Sequence, residues 1–133
     1  MKPRITTAAK VLRATFYAGG VIATAAGLAT VIAGAKSLPA EEAANPVVES
    51  ELRFYAAFYV AYGLAVLRVA PKADHATGSV RALAGALFLA GLARAGAWQS
   101  VGEPHRAQQG LLVAELVGPP VIAAWQARVA SSA

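Results

Sequence analysis

The sequence predicts an all-α integral membrane protein, folded as a four-helix bundle with both termini in the cytoplasm. Composition is the first reason: hydrophobic residues make up 57% of the 133 residues, whereas soluble domains use about 45–50%. Charged residues make up 14%, against about 25% in soluble domains. The other reasons are four long apolar segments and an asymmetric distribution of lysine and arginine. We therefore expect a multi-pass protein of the cell membrane whose main partner is the lipid bilayer.

The four apolar segments predict four membrane-spanning helices within a single domain, 1–133. The first contains 22 residues without a charge, 14–35, and about 20 suffice to cross a bilayer. Prolines and glycines in the short connections favour a compact bundle. A soluble all-α domain is the alternative, but no segment has the broad charged face that such helices need. The predicted helices cover about 8–35, 50–70, 79–100 and 106–128.

Lysine and arginine in the connections predict the orientation of the helices. With the N-terminus inside, eight basic residues lie on the cytoplasmic side: Lys2, Arg4, Lys10, Arg13, Arg68, Lys72, Arg81 and Arg128. The opposite side then holds three: Lys36, Arg53 and Arg106. Acidic residues such as Glu41 and Glu42 also fall there. A cleaved signal peptide ending near Ala35 is an alternative, but its apolar region would exceed the usual length of about 7–15 residues. We expect a retained first helix.

Three glycines recur every seven residues along the first helix: Gly20, Gly27 and Gly34. Small residues at such spacing let helix backbones approach closely in lipid. They predict either a homo-oligomer through the first helix or close packing within the bundle, and the sequence favours packing.

Arg94 and Glu115 are charged residues inside predicted spans. A charge near the bilayer centre costs about 2.5–3.5 kcal/mol on insertion scales, so such residues usually face protein and find a partner. At 1.5 Å per residue, Arg94 lies about 9 Å and Glu115 about 13 Å from the helix ends that meet at the short 101–105 connection. An ion pair between these antiparallel neighbours is therefore predicted.

An aromatic face on the second helix extends this pair into a candidate site in the outer leaflet. Helical spacing places Glu51, Tyr55, Phe58, Tyr59 and Tyr62 on one face. If that face points inward, Glu51 shares Arg94 with Glu115. Arg53 would lie at the rim or extend to the membrane surface, and Trp98 lies one turn from Arg94. The predicted ligand-binding residues are Glu51, Arg53, Tyr55, Tyr59, Tyr62, Arg94, Trp98 and Glu115.

Several kinds of chemistry find no support in the sequence. There is no cysteine, so disulfides and thiolate metal sites are excluded. His75 and His105 fall on opposite sides of the membrane in the predicted topology, and no metal or cofactor is expected. The basic residues form no stripe, which argues against nucleic acid as a partner. Pro119 and Pro120 interrupt the fourth helix just after Glu115. Either the break bends the helix so that it fits the bundle, or it lines a cavity, as such breaks do in transporters.

Four motifs resemble a family called domain of unknown function 4345. They are ELRFYAAFYVAYGL at 51–64, GLARAGAW at 91–98, a Gly-x-Pro at 102–104 and AELVGPP at 114–120. The resemblance implies a small bacterial four-helix membrane protein, hence a bacterial inner or plasma membrane. It also implies site positions at Glu51, Arg53, Tyr55, Arg94 and Glu115. It brings no reaction with it.

Three classes of function remain open on the sequence. The first is binding of a small lipophilic ligand at the polar cluster of Glu51, Arg94 and Glu115. The second is a structural or accessory subunit whose buried charges specify helix packing. The third is a membrane hydrolase or isomerase with Glu51 and Glu115 as acid and base around Arg94. A small multidrug exporter is disfavoured, because such proteins carry their membrane carboxylate in the first helix, and the first apolar segment here, 14–35, has no charge.

Overall fold

The computed structural model describes residues 5–39 and 45–132, and within them it is all-α, with no strand. The helices are α1 (Thr7–Ala33), α2 (Pro46–Val69), α3 (Thr77–Val101) and α4 (Arg106–Ser131). A short 3-10 turn, Gly34–Ser37, follows α1, and another, Ala70–Lys72, follows α2. The predicted four-helix, all-α class is confirmed. Lys2, Arg4, Glu41 and Glu42, counted in the predicted topology, lie outside the described residues.

Local sequence explains where the helices begin and end. The Thr6 hydroxyl accepts a hydrogen bond from Ala9 N (3.2 Å) at the start of α1. Asn45 caps α2 by accepting from Val48 N (3.0 Å), and Pro46 occupies the first turn. These side chains satisfy amide groups that a helix leaves without an internal partner. Asn45 and Pro46 together start α2 four residues before the predicted position.

Two glycines with positive φ end α1 and α3. Gly34 (φ 59°) begins the 3-10 turn after α1, and Gly102 (φ 108°) stops α3 before the Gly102–His105 connection to α4. Glycine adopts these angles without a Cβ penalty.

All four helices are long and apolar enough to cross a membrane. The candidate spans are Thr7–Ser37, Pro46–Lys72, Thr77–Val101 and Arg106–Ser131. Large apolar side chains such as Ile32, Leu89 and Val101 are exposed on their surfaces. A bilayer accommodates such surfaces, whereas water penalises large apolar patches. The chain is therefore a multi-pass membrane protein, and its N-in, C-in orientation stays a prediction.

The chain divides into two compact units, which are described separately. One contains Arg13–Pro71, and the other contains residues 5–12 with 72–132. We call α2 and the α1 residues from Arg13 onward the first hairpin, and α3 with α4 the second hairpin. A single domain of four helices stays a prediction.

The first hairpin is held by small residues on both helices. A Cβ added at Gly20 would lie 2.7 Å from a Leu67 side-chain carbon, and one at Gly27 would lie 2.8 Å from Val60 N. In the opposite direction, a Cβ at Gly63 would lie 2.5 Å from Thr24 N. These glycines bring the two backbones together, as small residues do in lipid. Gly20 and Gly27 therefore serve packing within the chain, one of the two predicted roles.

The second hairpin is antiparallel, and its two helices contact each other at mid-length and at the end away from the connection. At mid-length, Gly91 of α3 packs against Glu115 and Leu116 of α4. At the end away from the connection, Gln126 of α4 donates to the Thr77 hydroxyl (2.9 Å) at the start of α3. The candidate site begins at the Gly91 contact and extends from there toward the Gly102–His105 connection.

Candidate functional site

The ion pair between Arg94 and Glu115 joins α3 to α4, as predicted. Arg94 Nε donates to Glu115 Oε2 (2.8 Å), and a terminal Arg94 nitrogen donates to Glu115 Oε1 (3.0 Å). This bidentate geometry is the strongest arrangement for a guanidinium and a carboxylate. Both groups lie well inside candidate spans, where an unpaired charge is costly. Mutual pairing explains how the helices accommodate them.

Exposure differs sharply between the two partners. The Glu115 side chain is only 7% exposed, whereas the Arg94 side chain is 34% exposed. The carboxylate is thus enclosed by protein and fully engaged by Arg94. The guanidinium binds the carboxylate and also presents part of its surface outside the helix pair.

Gly91 lies almost one helical turn before Arg94 and allows α4 to approach. A Cβ at Gly91 would lie 2.9 Å from Leu116 Cδ2, 3.0 Å from Glu115 Cβ and 3.1 Å from the Glu115 backbone carbon. Even an alanine would require the Leu116 side chain to move and Glu115 to shift by a few tenths of an ångström, at the point where Arg94 reaches Glu115. The glycine therefore sets the distance across which the ion pair forms.

Gln108 completes the cluster, and the sequence analysis missed it. Its side-chain oxygen accepts a hydrogen bond from a terminal Arg94 nitrogen. Gln108 lies seven residues before Glu115, which is two turns along the same face of α4. The two-turn spacing could have identified Gln108 as a neighbour of Glu115 on the same helix face. It was overlooked because an uncharged residue near a helix start does not stand out in a search for charged residues inside apolar segments.

Arg53 takes part in a different contact, with its own helix and the end of α1. It donates through Nε to Glu49 Oε1 (2.9 Å) and through another nitrogen to Val31 O (2.9 Å) and Ile32 O (3.1 Å). Glu49 Oε2 accepts from Ala35 N (3.0 Å). The last carbonyls of a helix lack internal donors, and a cation there is also favoured by the helix dipole. Glu49 was not among the predicted site residues.

Glu51 and the aromatic residues of α2 divide between exposed and half-buried positions. Glu51 is exposed, and Tyr55 and Phe58 are each 63% exposed. Tyr59 and Tyr62 are half-buried and stack in parallel, with ring centroids 6.1 Å apart. The predicted inclusion of Glu51 and these tyrosines with Arg94 stays a prediction.

Trp98, Pro119 and Pro120 are the remaining residues of α3 and α4 that the sequence singled out. Trp98 is half-buried on α3, one turn beyond Arg94. Pro119 is buried and Pro120 exposed, and α4 continues through both. Prolines have no amide hydrogen, so the carbonyls of Glu115 and Leu116 lose their usual helical donors.

A second polar contact lies at the far end of the same hairpin. Gln126 is fully buried, and its side-chain nitrogen donates to Thr77 Oγ1 and weakly to Asp74 O (3.5 Å). Within the part of the chain that the structure describes, its side-chain oxygen has no hydrogen-bond partner. This contact ties α4 to the turn that precedes α3.

Within residues 5–39 and 45–132, no group of three or more histidine, cysteine or acidic side chains could hold a metal ion. His75 and His105 are both exposed and lie at opposite ends of α3.

One comparison with known proteins identifies a family. The family model described as "Domain of unknown function (DUF4345)" matches residues 11–126. The chain belongs to this family. The match includes the first hairpin, all of α3, α4 as far as Gln126, and every predicted site residue. No curated protein and no solved structure matches the chain. Family membership agrees with a small membrane protein and names no reaction.

Proposed function

We propose that this membrane protein binds a small lipophilic molecule through the polar head of that molecule, at the Arg94 end of the second hairpin. The observation that carries the proposal is the unequal exposure of the ion pair, 34% for the Arg94 side chain against 7% for Glu115. A guanidinium oriented by a buried carboxylate and still accessible is a fixed hydrogen-bond donor within a candidate span. In hydrocarbon, such a donor favours a polar group that can accept from it.

The surroundings of Arg94 suit an amphipathic ligand. Gln108 contacts the same guanidinium, and Trp98 lies one turn away on α3. Exposed apolar residues of the same two helices include Leu92 and Leu111. Binding sites for small molecules commonly combine a few fixed polar groups with an apolar lining. Glu51, Arg53, Tyr55, Tyr59 and Tyr62 remain predicted members on sequence alone, as does the outer-leaflet location.

A structural role is the second candidate, and the bidentate contact favours it. Two hydrogen bonds between Arg94 and Glu115 would fix which helix faces define the hairpin, whether or not a ligand binds. Buried ion pairs specify packing in some proteins. Catalysis by Glu115 is less favoured, because both carboxylate oxygens already accept hydrogen bonds from Arg94 and the side chain is nearly inaccessible.

The test compares the lipophilic molecules that co-purify with three proteins. These are the parent, the double variant Arg94→Gln with Glu115→Gln, and the control Arg81→Gln. The double variant removes the charges together, so no charge is left stranded. Arg81 is an exposed arginine near the start of α3.

We expect organic extracts of the parent and control to share a molecule that the folded double variant lacks, measured by mass spectrometry. Identical extracts from all three proteins would contradict binding at Arg94 and favour the structural role.

A further inference from the structure

We infer that the end of the second hairpin where α3 begins and α4 ends binds anionic phospholipids through their phosphate groups. Three exposed cations, which we call the basic end, carry this inference: Lys72, Arg81 and Arg128. It goes beyond the proposed function, because it concerns a different ligand and a different place. Arg81 and Arg94 are about 20 Å apart along α3, at 1.5 Å per residue.

The contact between the two helices places both arginines at the same end of the hairpin. The Gln126 side chain donates to the Thr77 hydroxyl (2.9 Å), so the start of α3 lies beside the last turns of α4. Arg81 is about 6 Å inside the start of α3, and Arg128 is about 4.5 Å inside the end of α4. Lys72 lies just before the connection to α3 and belongs to the same compact unit.

The basic end lies at a boundary of the candidate spans. Arg81 and Arg128 are each about one turn inside such a span, Thr77–Val101 and Arg106–Ser131 respectively. Trp125 is half-buried at this level of α4, and tryptophan is enriched where acyl chains meet head groups. Arginine near the end of a span extends its charged group toward the membrane surface. The two guanidinium groups are therefore expected at the level of the lipid head groups.

The accessible charge of the basic end is positive. In the part of the chain that the structure describes, none of its three cations forms an ion pair. Asp74 follows Lys72 closely, but its side chain is only 16% exposed and its Oδ1 lies 3.3 Å from His75 Nδ1. At the other end of the hairpin, exposed Glu103 and Arg106 have opposite charges. Unbalanced positive charge thus distinguishes one end of the hairpin from the other.

Anionic phospholipids match the basic end in charge and in position. Arginine can donate two parallel hydrogen bonds to a phosphate, and lysine adds a point charge. In the predicted topology this end faces the cytoplasm, where the membrane surface is negative. The acyl chains of a bound lipid can also contact exposed apolar side chains deeper on the same helices, such as Leu89 and Val121. A free phosphate ion gains no such contact, so we assign the surface to the lipid.

The two tryptophans of the chain allow the two ends of the hairpin to be measured separately. Trp98→Phe leaves Trp125 to report on the basic end, and Trp125→Phe leaves Trp98 to report on the other end. Each full-length protein is reconstituted in phosphatidylcholine vesicles with increasing fractions of brominated phosphatidylglycerol or brominated phosphatidylcholine. Comparison of the two fluorescence-quenching curves gives the affinity for the anionic lipid relative to the neutral one.

At Trp125 we expect phosphatidylglycerol to bind at least about fivefold more tightly than phosphatidylcholine. One lysine or arginine near an anionic membrane surface contributes about this factor. Replacing all three cations together should abolish the preference: Lys72→Gln, Arg81→Gln and Arg128→Gln. Equal quenching by the two lipids in the parent, or a preference that survives the triple change, would overturn the inference.

A matched pair of single changes on α4 tests whether the effect is local. Arg128→Gln and Arg106→Gln each remove one exposed arginine, at opposite ends of the helix. Arg128→Gln should lower the preference at Trp125 by about two- to fivefold, whereas Arg106→Gln should leave it unchanged. Equal effects of the two changes would point to total charge and would contradict a site at the basic end. These single changes decide the inference even if the triple variant does not fold.

Two salts at equal ionic strength separate the lipid from a free ion. Sodium chloride and inorganic phosphate should weaken the preference at Trp125 alike, through screening. Loss of the preference in phosphate alone would make a phosphate ion the occupant and overturn the assignment to lipid. In the co-purification experiment, Arg81→Gln should reduce bound anionic phospholipid but retain the molecule held at Arg94, which separates this inference from the proposed function.

Discussion

The two hairpins each contain an arginine–glutamate pair, and the pairs differ in what they join. In the first hairpin, Arg53 and Glu49 lie one turn apart on α2; Arg53 reaches carbonyls at the end of α1, and Glu49 reaches an amide in the 3-10 turn that follows. In the second, Arg94 and Glu115 come from different helices and bind each other in two places. The first pair caps a helix end, whereas the second crosslinks two helices. Similar residues therefore have different roles, according to depth and to the partner available.

The surroundings of the two pairs explain why we expect them to contribute differently to the stability of the protein. The Arg53 side chain is 43% exposed and close to a helix end, where water or head groups can replace a lost contact. Glu115 is enclosed within a span, so no solvent can replace Arg94. Loss of a partner should therefore matter far more in the second hairpin.

Alanine substitution of the two arginines tests this difference directly and should give the largest effect. Arg94→Ala strands the Glu115 carboxylate, and removal of one partner from a buried pair costs about 3–5 kcal/mol. Arg53→Ala should lower stability less, because its side chain is 43% exposed and its backbone acceptors lie at the end of α1. The free energy of unfolding in mixed detergent micelles measures both changes.

A matched double variant separates charge from side-chain volume. Arg94→Gln with Glu115→Gln should recover part of the stability that Arg94→Ala loses, because it leaves no unpaired charge. If Arg94→Ala were as stable as the parent, or lost less stability than Arg53→Ala, the contrast between the hairpins would be wrong.

Glycine substitutions give a smaller effect and test packing in both hairpins. Gly27→Ala in the first hairpin and Gly91→Ala in the second each place a Cβ within 3.0 Å of the opposite helix. Overpacking of this kind typically costs about 1–3 kcal/mol. Gly19→Ala and Gly96→Ala are the matched controls, because a Cβ there meets nothing within 4 Å. These controls should be neutral or slightly stabilising, since alanine favours a helix by about 0.5–1 kcal/mol over glycine.

Thermal unfolding of all four variants measures this prediction, and Gly91→Ala has a second readout. By moving α4 away from α3, it should also weaken the Arg94–Glu115 contact, so adding Arg94→Gln and Glu115→Gln should reduce its effect. Equal stability of Gly91→Ala and Gly96→Ala would show that the helices do not approach closely at the ion pair.

Some of these features followed from the sequence because a single physical constraint decided them. Four charge-free or nearly charge-free segments left little alternative to four long helices. Arg94 and Glu115 were predicted as partners because each is costly alone in lipid and both lie at similar depths near one short connection.

Other features could not be predicted, because competing contacts had similar energies. Arg53 could extend to the membrane surface, join Arg94 or cap α1. Only the positions of Val31 O and Ile32 O show that it caps. Gln108 was missed because an amide has no large desolvation penalty to reveal it. The close approach at Gly91 depends on the register between α3 and α4, which residue spacing alone does not define.

The last prediction concerns the turns of the two hairpins and should leave stability almost unchanged. The distribution of lysine and arginine predicts that the turn of each hairpin lies on the extracytoplasmic face and that the connection between the hairpins lies in the cytoplasm. The chain has no cysteine, so single cysteines can report the side of each turn without a background. Suitable exposed positions are Lys36 in the first turn, Glu103 in the second and His75 between the hairpins. In intact cells, an impermeant maleimide should label Lys36→Cys and Glu103→Cys but not His75→Cys, and permeabilised cells should label all three.

Labelling of His75→Cys alone in intact cells would invert the topology and move the Arg94 cluster to the cytoplasmic leaflet. The contacts of Arg94 with Glu115 and Gln108 would be unaffected, but the proposed ligand would then have to come from the inner leaflet.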